Sequence, residues 1–146
     1  MPTAAKLVAA LCLGLLAVVV AEMLKGLMPS GKIFGAFTPV SGLIGGIVGW
    51  RHLGPRAGEG AGRTISHAVT AVVILILAGL FVFASYEMLE QAMLHRYSEV
   101  MQALRGIVEI ALGYGLYLVK TRVLAALAVG AVLSGLATEY AYRRWR

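Results

Sequence analysis

Five ionisable residues stand near the ends of two apolar segments, where such groups bind cations, carry protons or meet oxyanions. Glu22 and Lys25 are three residues apart and so share one face of a helix. Glu87, Glu90 and His95 close the second segment. Ionisable groups within or near the hydrocarbon of a membrane are costly, and they usually face partners or water. A cation or proton site is one interpretation of this cluster; a structural layer of ion pairs and headgroup anchors is the interpretation we favour.

The residue types give little support for catalysis or metal binding. Three acids and one histidine without tight ligand spacing are a weak metal signal. The sequence contains no Asp, and no Ser stands beside a His–acid relay of the kind that activates a nucleophile. The single Cys12 lies inside an apolar run, where a small buried hydrophobe is expected. We therefore expect no catalytic residue, no cofactor and no metal site, and a protein that is not an enzyme.

The three histidines raise the question of haem ligation. His67 and His95 would lie about 42 Å apart along one helix, too far to share an iron. His52 and His67 flank a polar connection. A b-type haem needs two axial ligands that face each other at one depth. A haem or quinone subunit of a redox assembly is therefore the weakest of the functional hypotheses.

A second polar group is expected near the C-terminus. Glu139 precedes Arg143 by four residues, a favourable order for an ion pair on a helix. Lys6 and Arg51 are expected on the same side of the membrane. An acid among several bases at the interface is most simply a charge balance, so a structural role is predicted for Glu139.

Long apolar segments must position these groups. Residues 68–86 are nineteen residues without a charge, which in a helix matches the roughly 30 Å of a bilayer's hydrocarbon. Hydrophobic residues make up 60% of the chain and charged ones 14%, against about 45–50% and about 25% in soluble proteins. The predicted fold class is all-α, a single integral membrane domain (1–146) with four transmembrane helices plus one amphipathic interfacial helix. The spans are expected at about 3–28, 38–53, 65–94 and 122–143, and the amphipathic helix at about 97–119.

Two segments have alternative interpretations. The first apolar segment resembles a cleavable signal peptide, but its apolar pattern continues past Glu22 to Pro29, which predicts a retained helix. The glycine-rich connection at 51–63, RHLGPRAGEGAGR, lacks the G-x-x-x-x-G-K-[ST] pattern that cradles phosphate. It is predicted to be a flexible, solvated connection.

Small residues predict two faces of close helix packing. The second apolar segment carries two interlocked G-x-x-x-G pairs, Gly42 with Gly46 and Gly45 with Gly49. In the last segment small residues recur every four positions, at Ala126, Gly130, Ser134 and Thr138. Because such spacing lets neighbouring backbones approach closely in lipid, the two faces are expected to meet each other. If the glycine face is not used internally, it is the expected contact between copies of the chain.

The basic residues orient the chain. The net charge is +6, and the bases are scattered beside apolar segments, which favours membrane anchoring over nucleic-acid binding. Four spans put both termini and the 51–63 connection on one side. That side holds Lys6, Arg51, Arg56, Arg63, Arg143, Arg144 and Arg146. Its bases concentrate near helix ends, so both termini are predicted to be cytoplasmic. The expected partners are the bilayer, together with other membrane proteins or further copies of the chain.

Four stretches resemble one known family. The opening MPTAAKLVAAL, the central GLIGGIVGWRHLGPRAG, the SYEM at Ser85–Met88 and the ending RRWR resemble the small bacterial membrane proteins of the tellurite-resistance protein TrgA family. The resemblance runs nearly from end to end. It implies an inner-membrane protein of Gram-negative bacteria associated with resistance to tellurium oxyanions, and it implies no agreed mechanism and no catalytic residues.

Two functional hypotheses follow, besides the redox subunit. The first is a small inner-membrane protein with a non-enzymatic accessory or interaction role in tellurite resistance. The second is an oligomeric transporter or channel for an oxyanion or a proton-coupled substrate, with Glu22, Glu87 and Glu90 along its path. Four spans enclose little space, so the second hypothesis requires an oligomer.

Overall fold

The chain folds into a bundle of helices. The computed structural model describes residues 3–27, 37–94 and 98–145, and within these ranges the chain forms helices joined by short turns. The α-helices are α1 (Thr3–Leu27), α2 (Phe37–Val48), α3 (Ala61–Met93), α4 (Val100–Leu118) and α5 (Thr121–Arg144). The prediction of an all-α fold is confirmed.

Three of the described helices are long and apolar enough to cross a membrane: Ala4–Gly26, Ala61–Met93 and Thr121–Arg144. The α2 helix is not among them, because its 12 residues rise about 18 Å and the hydrocarbon core is about 30 Å thick. The structure thus gives three such helices and not the four predicted. Beyond α2 the chain stays helical through a π turn, Gly49–Leu53, and a 3-10 turn, Gly54–Arg56.

The connection between the second and third helical segments is shorter than predicted. Residues 51–56 belong to the π and 3-10 turns, and α3 begins at Ala61, so the expected flexible loop at 51–63 is mostly helical. Gly58 and Gly60 have φ angles of +98° and +105°. Glycine adopts this left-handed region without the steric cost that a Cβ brings. The two glycines therefore allow a tight turn into α3.

The α1 helix is the central element of the bundle. It packs against α2 and α5, and its buried face consists of Ala5, Ala9, Leu13, Leu16, Ala17, Val20, Ala21 and Leu24. The α2 helix runs antiparallel to α1, and α5 antiparallel to α3, as the residue pairs described below show. The two ends of the bundle therefore gather different polar groups.

The bundle places small residues inside and large apolar residues outside. Ten of the twenty buried hydrophobic residues described are alanines. On the outside of α1, Leu7, Leu11, Leu15 and Val19 stand at every fourth position and are 52–65% exposed. Helices associate in lipid through close packing of small residues, because lipid tails are as apolar as leucine. Contiguous apolar stripes of this kind are uncommon on soluble monomers and are typical of a membrane bundle.

The α4 helix lies on the C-terminal part of α3. At 33 residues, α3 is about 50 Å long, which exceeds the roughly 30 Å of a bilayer's hydrocarbon. The outer surface of α4 carries apolar residues at every fourth position, Val100, Leu104, Val108, Leu112 and Leu116. The exposed charges Arg105 and Glu109 stand beside this apolar stripe. Two exposed surfaces of different polarity agree with an amphipathic helix.

Candidate functional site

Glu22 is the centre of the first polar group. Its Oε1 accepts a hydrogen bond from Lys25 Nζ at 3.1 Å and another from Thr38 Oγ1 at 2.6 Å. Thr38 lies in the first turn of α2 and reaches Glu22 because α2 runs antiparallel to α1. The side chains of Glu22 and Lys25 are 58% and 26% exposed, and exposed ion pairs contribute only about 0–1 kcal/mol. The group chiefly fixes the position of α2 against the end of α1.

Glu87 is the centre of the second polar group. Tyr114, on α4, donates a hydrogen bond of 2.6 Å from its hydroxyl to Glu87 Oε2. Burial of the phenol, and then the nearby Glu87 carboxylate, raise the pKa of Tyr114 above its ordinary value. Tyr114 therefore keeps its proton at neutral pH, and its O–H donates a hydrogen bond to Glu87 that fastens α4 onto α3.

Among the described residues, those predicted as one polar cluster fall into separate groups on different helices. Glu22 pairs with Lys25 on its own helix and joins α1 to α2 through Thr38, whereas Glu87 joins α3 to α4. Glu90 is exposed near the end of α3, and His95 lies outside the described residues. The sequence interpretation missed Thr38 and Tyr114 as partners, because a hydroxyl becomes a recognisable partner only when the neighbouring helix is placed.

Glu139 is the centre of a third polar group, at the opposite end of the bundle. It is 4% exposed. Its Oε2 accepts hydrogen bonds from the Gly58 backbone N–H and from Thr64 Oγ1, both at 2.8 Å. Its Oε1 accepts one from Arg143 Nε at 3.0 Å. A buried carboxylate is stable when its oxygens are paired in this way.

The partners of Glu139 differ in part from the prediction. The pair with Arg143 is confirmed. The other two donors are Thr64 and the backbone N–H of Gly58, neither of which the sequence pattern indicated. The ring of Tyr142 packs directly on Gly58, where a Cβ would collide with it. Glycine is therefore required at position 58 both by its φ angle and by this close approach.

Two of the histidines have acidic or basic partners. His67 Nε2 lies 3.2 Å from Glu59 Oε2. His52 Nδ1 lies 3.2 Å from Arg56 Nη1, a nitrogen that also donates to the His52 carbonyl at 2.8 Å. Within the described ranges, no group of three or more His, Cys, Asp or Glu residues is placed to hold a metal ion. The described histidine contacts are those of residues flanking a tight turn.

Both small-residue faces pack on α1. A Cβ at Gly45 would lie 2.5 Å from the Leu13 carbonyl oxygen, and one at Gly49 would collide with the backbone at Ala9. The two other glycines of this face, Gly42 and Gly46, also face α1. The expectation that this face meets that of α5 is therefore not fulfilled.

The face of α5 divides between two neighbours. Gly130 makes room for the side chain of Leu16 on α1. One turn further on, Ser134 is 3% exposed, and the adjacent Gly135 lies against the backbone of Ile65 on α3. Small residues on α5 thus allow close approach to α1 and α3.

An apolar cavity lies between the helices, on the side of the first two polar groups. It has a volume of about 70 Å³ and is partly open to the surface, and all five α-helices contribute to its wall. Ala21 and Leu24 come from α1, Ser41 from α2, Gly79 from α3 and Leu118 from α4. The described part of the wall is almost wholly apolar, and none of its described lining residues carries a carboxylate or an ammonium group.

These features define a class: a helical bundle with three apolar helices long enough to span a membrane and with its described carboxylates concentrated toward helix ends. Comparison of the chain with models of protein families, with curated proteins and with solved structures finds no match.

Proposed function

We propose that this chain is a multi-pass protein of the bacterial inner membrane with a non-enzymatic, accessory role in tellurite resistance. The apolar outer surface of the bundle is the observation that supports membrane placement. Moving such an apolar surface from water into lipid is favourable by about 25 cal/mol per Å² of surface buried. The link to tellurite rests on the four stretches of sequence that resemble the TrgA family.

The proposal includes a fourth crossing. The α2 helix and the π and 3-10 turns after it together form a helical segment of 20 residues, 37–56. This segment follows α1 from the contact of Gly42 with Val18 to the contact of Gly54 with Lys6. A segment that accompanies a spanning helix over this length would cross the bilayer with it. The amphipathic α4 would then lie at the interface, and both termini in the cytoplasm.

The polar groups support an accessory role. Glu22, Glu87 and Glu139 each accept hydrogen bonds from a neighbouring element. Such carboxylates join helices to each other, which is a structural use of a charge near a membrane. A rigid bundle of this kind would act through contacts between its outer surface and other membrane components.

Gene deletion and complementation test the proposal. Deletion should lower the tellurite concentration that cells tolerate, and the wild-type gene should restore it. Gentle detergent extraction of the tagged chain from membranes should recover partner proteins if the role is accessory. Unchanged tolerance in the deletion strain would contradict the link to tellurite and leave the membrane placement standing.

The transporter hypothesis has less support from the geometry. The cavity wall is apolar, and an oxyanion or proton path needs polar groups or water. Purified protein in liposomes is expected to move no tellurite under an imposed gradient. Tellurite movement in this assay would favour an oligomeric transporter over the accessory role.

The redox hypothesis likewise lacks support. A cavity of about 70 Å³ is smaller than the cavity of about 150 Å³ that accepts benzene. The wall thus leaves little room for a quinone ring or a haem. An absorbance spectrum of the purified protein with a Soret band would contradict this interpretation.

A further inference from the structure

The apolar cavity ends beside an ion pair. Ala21 and Ser41 belong to its wall. Lys25 stands four residues after Ala21 and directly after Leu24, which also belongs to the wall, and Thr38 stands three residues before Ser41. Both residues therefore lie within one helical turn of the wall. Glu22 connects the two, since its Oε1 accepts from both Lys25 and Thr38. A polar layer that includes the anionic Glu22 and the cationic Lys25 therefore borders the cavity.

The shape of the cavity favours a narrow apolar occupant. The volume of about 70 Å³ is too small for the drug-sized ligands that occupy sites of roughly 300–1,000 Å³. Gly79 contributes open space, because a Cβ built there meets nothing within 4 Å. The cavity is partly open, so a long chain can lie partly inside it and continue along the surface of the bundle. These properties suit one unbranched hydrocarbon chain.

The charges of Glu22 and Lys25 beside the cavity favour one kind of polar head group on such a hydrocarbon chain. Glu22 Oε1 receives both described hydrogen bonds, and the Glu22 side chain is 58% exposed. The Glu22 carboxylate is therefore accessible, and the Lys25 ammonium lies 3.1 Å from its Oε1. A zwitterionic lipid head has one phosphate and one ammonium group. Its phosphate can pair with the Lys25 ammonium, and its ammonium with the Glu22 carboxylate.

We propose that the cavity binds one acyl chain of an aminophospholipid, such as phosphatidylethanolamine, whose head pairs with Glu22 and Lys25. The lipid occupies the space between α1, α2, α3, α4 and α5 and fills a void that would otherwise lack contacts. This inference rests on the membrane placement in the proposed function and is independent of any role in tellurite resistance.

Native mass spectrometry of the full chain tests the proposal. The protein is extracted in a mild detergent and titrated with phosphatidylethanolamine or phosphatidylglycerol carrying identical acyl chains. One phosphatidylethanolamine should remain bound per chain under conditions that remove phosphatidylglycerol, because phosphatidylglycerol lacks the ammonium group. Equal retention of the two lipids, preference for phosphatidylglycerol, or retention of neither would overturn the proposal.

Two glycine variants test the location of the acyl chain. Gly79→Leu fills the cavity and should abolish retention, and Gly79→Ala should reduce it. Gly113→Leu is the matched control, because Gly113 also has open space beside it and is not part of the cavity wall. Helicity by circular dichroism verifies that all three variants fold. Retention by Gly79→Leu equal to that of Gly113→Leu would place the lipid elsewhere.

A charge variant tests whether the lipid head group pairs with Glu22. Glu22→Gln keeps an acceptor for Thr38 and removes the negative charge, so the preference for phosphatidylethanolamine over phosphatidylglycerol should disappear. An unchanged preference would overturn the assignment of the head. Failure of the protein to appear in the membrane fraction would instead contradict the membrane placement itself, so the two failures are distinguishable.

Discussion

The carboxylate of Glu139 accepts a hydrogen bond of 2.8 Å from the backbone N–H of Gly58, a residue 81 positions earlier in the chain. The same oxygen accepts from Thr64 in the first turns of α3. Glu139 thus joins the C-terminal part of α5 to the turn before α3. The turn depends on Gly58, because its φ of +98° and the ring of Tyr142 exclude a side chain.

Replacing Glu139 with Ala should destabilise the bundle. The substitution leaves the buried Thr64 hydroxyl without its acceptor, and an unsatisfied buried group costs about 1–3 kcal/mol. It also removes the acceptor of the Gly58 N–H. The free energy of unfolding in detergent should fall by about 2 kcal/mol or more. Thermal or denaturant unfolding followed by circular dichroism measures this change.

Glu59→Ala is the control for Glu139→Ala. Glu59 is exposed and pairs with His67 at 3.2 Å, and exposed substitutions usually change stability by about 0.5 kcal/mol or less. An equal loss in both variants would show that the effect of Glu139→Ala comes from net charge and not from the lost acceptor.

Gly45→Ala should separate α1 from α2. A Cβ at this position would lie 2.5 Å from the Leu13 carbonyl oxygen and 2.9 Å from the Ala17 Cβ. Because the nearest atom is backbone, the helices must shift, and overpacking of this kind costs about 1–3 kcal/mol. The melting temperature in detergent should therefore fall.

Gly113→Ala gives the opposite expectation. Nothing lies within 4 Å of a Cβ built at Gly113, and replacing an unconstrained helical glycine with alanine gains about 0.5–1 kcal/mol. A stability change of the same sign in both variants would contradict the close α1–α2 contact at Gly45.

Helix identity was predictable from the sequence because it depends on local composition. Nineteen uncharged residues at 68–86 cannot satisfy their backbone in lipid except as a helix. The pairing of Glu139 with Arg143 was equally local, since the two residues are four apart on one helix. These interactions require no knowledge of which helix lies beside which.

The partners of the small-residue faces were not predictable in the same way. The spacing of Gly45 and Gly49 shows that some backbone approaches closely, and it carries no information about which one. In the structure the α2 face packs on α1, and the small residues of α5 pack on both α1 and α3. The expected meeting of the α2 and α5 faces was therefore wrong, although close packing at these glycines is present.

The partners of the acidic residues show the same limit. The hydroxyls of Thr38, Thr64 and Tyr114 each donate to a glutamate on another helix. No single-sequence pattern distinguishes these hydroxyls from others in the chain. The prediction of a flexible loop at 51–63 was wrong for a different reason. Its glycines suggested flexibility, whereas the residues up to Arg56 continue the preceding helical segment.

Tyr114→Phe should loosen α4 from α3. The lost hydrogen bond of 2.6 Å has a carboxylate acceptor, and bonds to charged groups contribute about 1.5–3 kcal/mol. Amide hydrogen exchange in Val100–Leu118 should accelerate more than in α1. Tyr117→Phe, on the same helix and with no described hydroxyl partner, should leave the exchange rate unchanged, and equal acceleration in both variants would contradict the role of the Glu87 contact.

The stabilisation by Tyr114 should depend on pH in a defined direction. Burial and then Glu87 raise the pKa of Tyr114 in the folded protein. The stabilisation is therefore fully present below the ordinary tyrosine pKa of about 10 and is lost as the pH rises toward the raised value. The difference in stability between wild type and Tyr114→Phe should be constant at neutral pH and shrink above about pH 10. A difference that grows above this pH would contradict the prediction.

The number of membrane crossings is measurable from the positions of the N-terminus and Glu59. If the segment from Phe37 to Arg56 crosses, the N-terminus and residue 59 lie on the same side; if only the three long helices cross, they lie on opposite sides.

A cysteine at position 59 in a Cys12→Ser background, combined with a cleavable tag at the N-terminus, can be probed in intact spheroplasts and in inverted vesicles. Both sites should be protected in spheroplasts and reactive in inverted vesicles, because the bases of this side concentrate near helix ends and favour the cytoplasm. A cysteine at Ser98 serves as the control and should show the reverse pattern, since α3 separates it from residue 59. Opposite accessibility of the tag and residue 59 would reduce the bundle to three crossings.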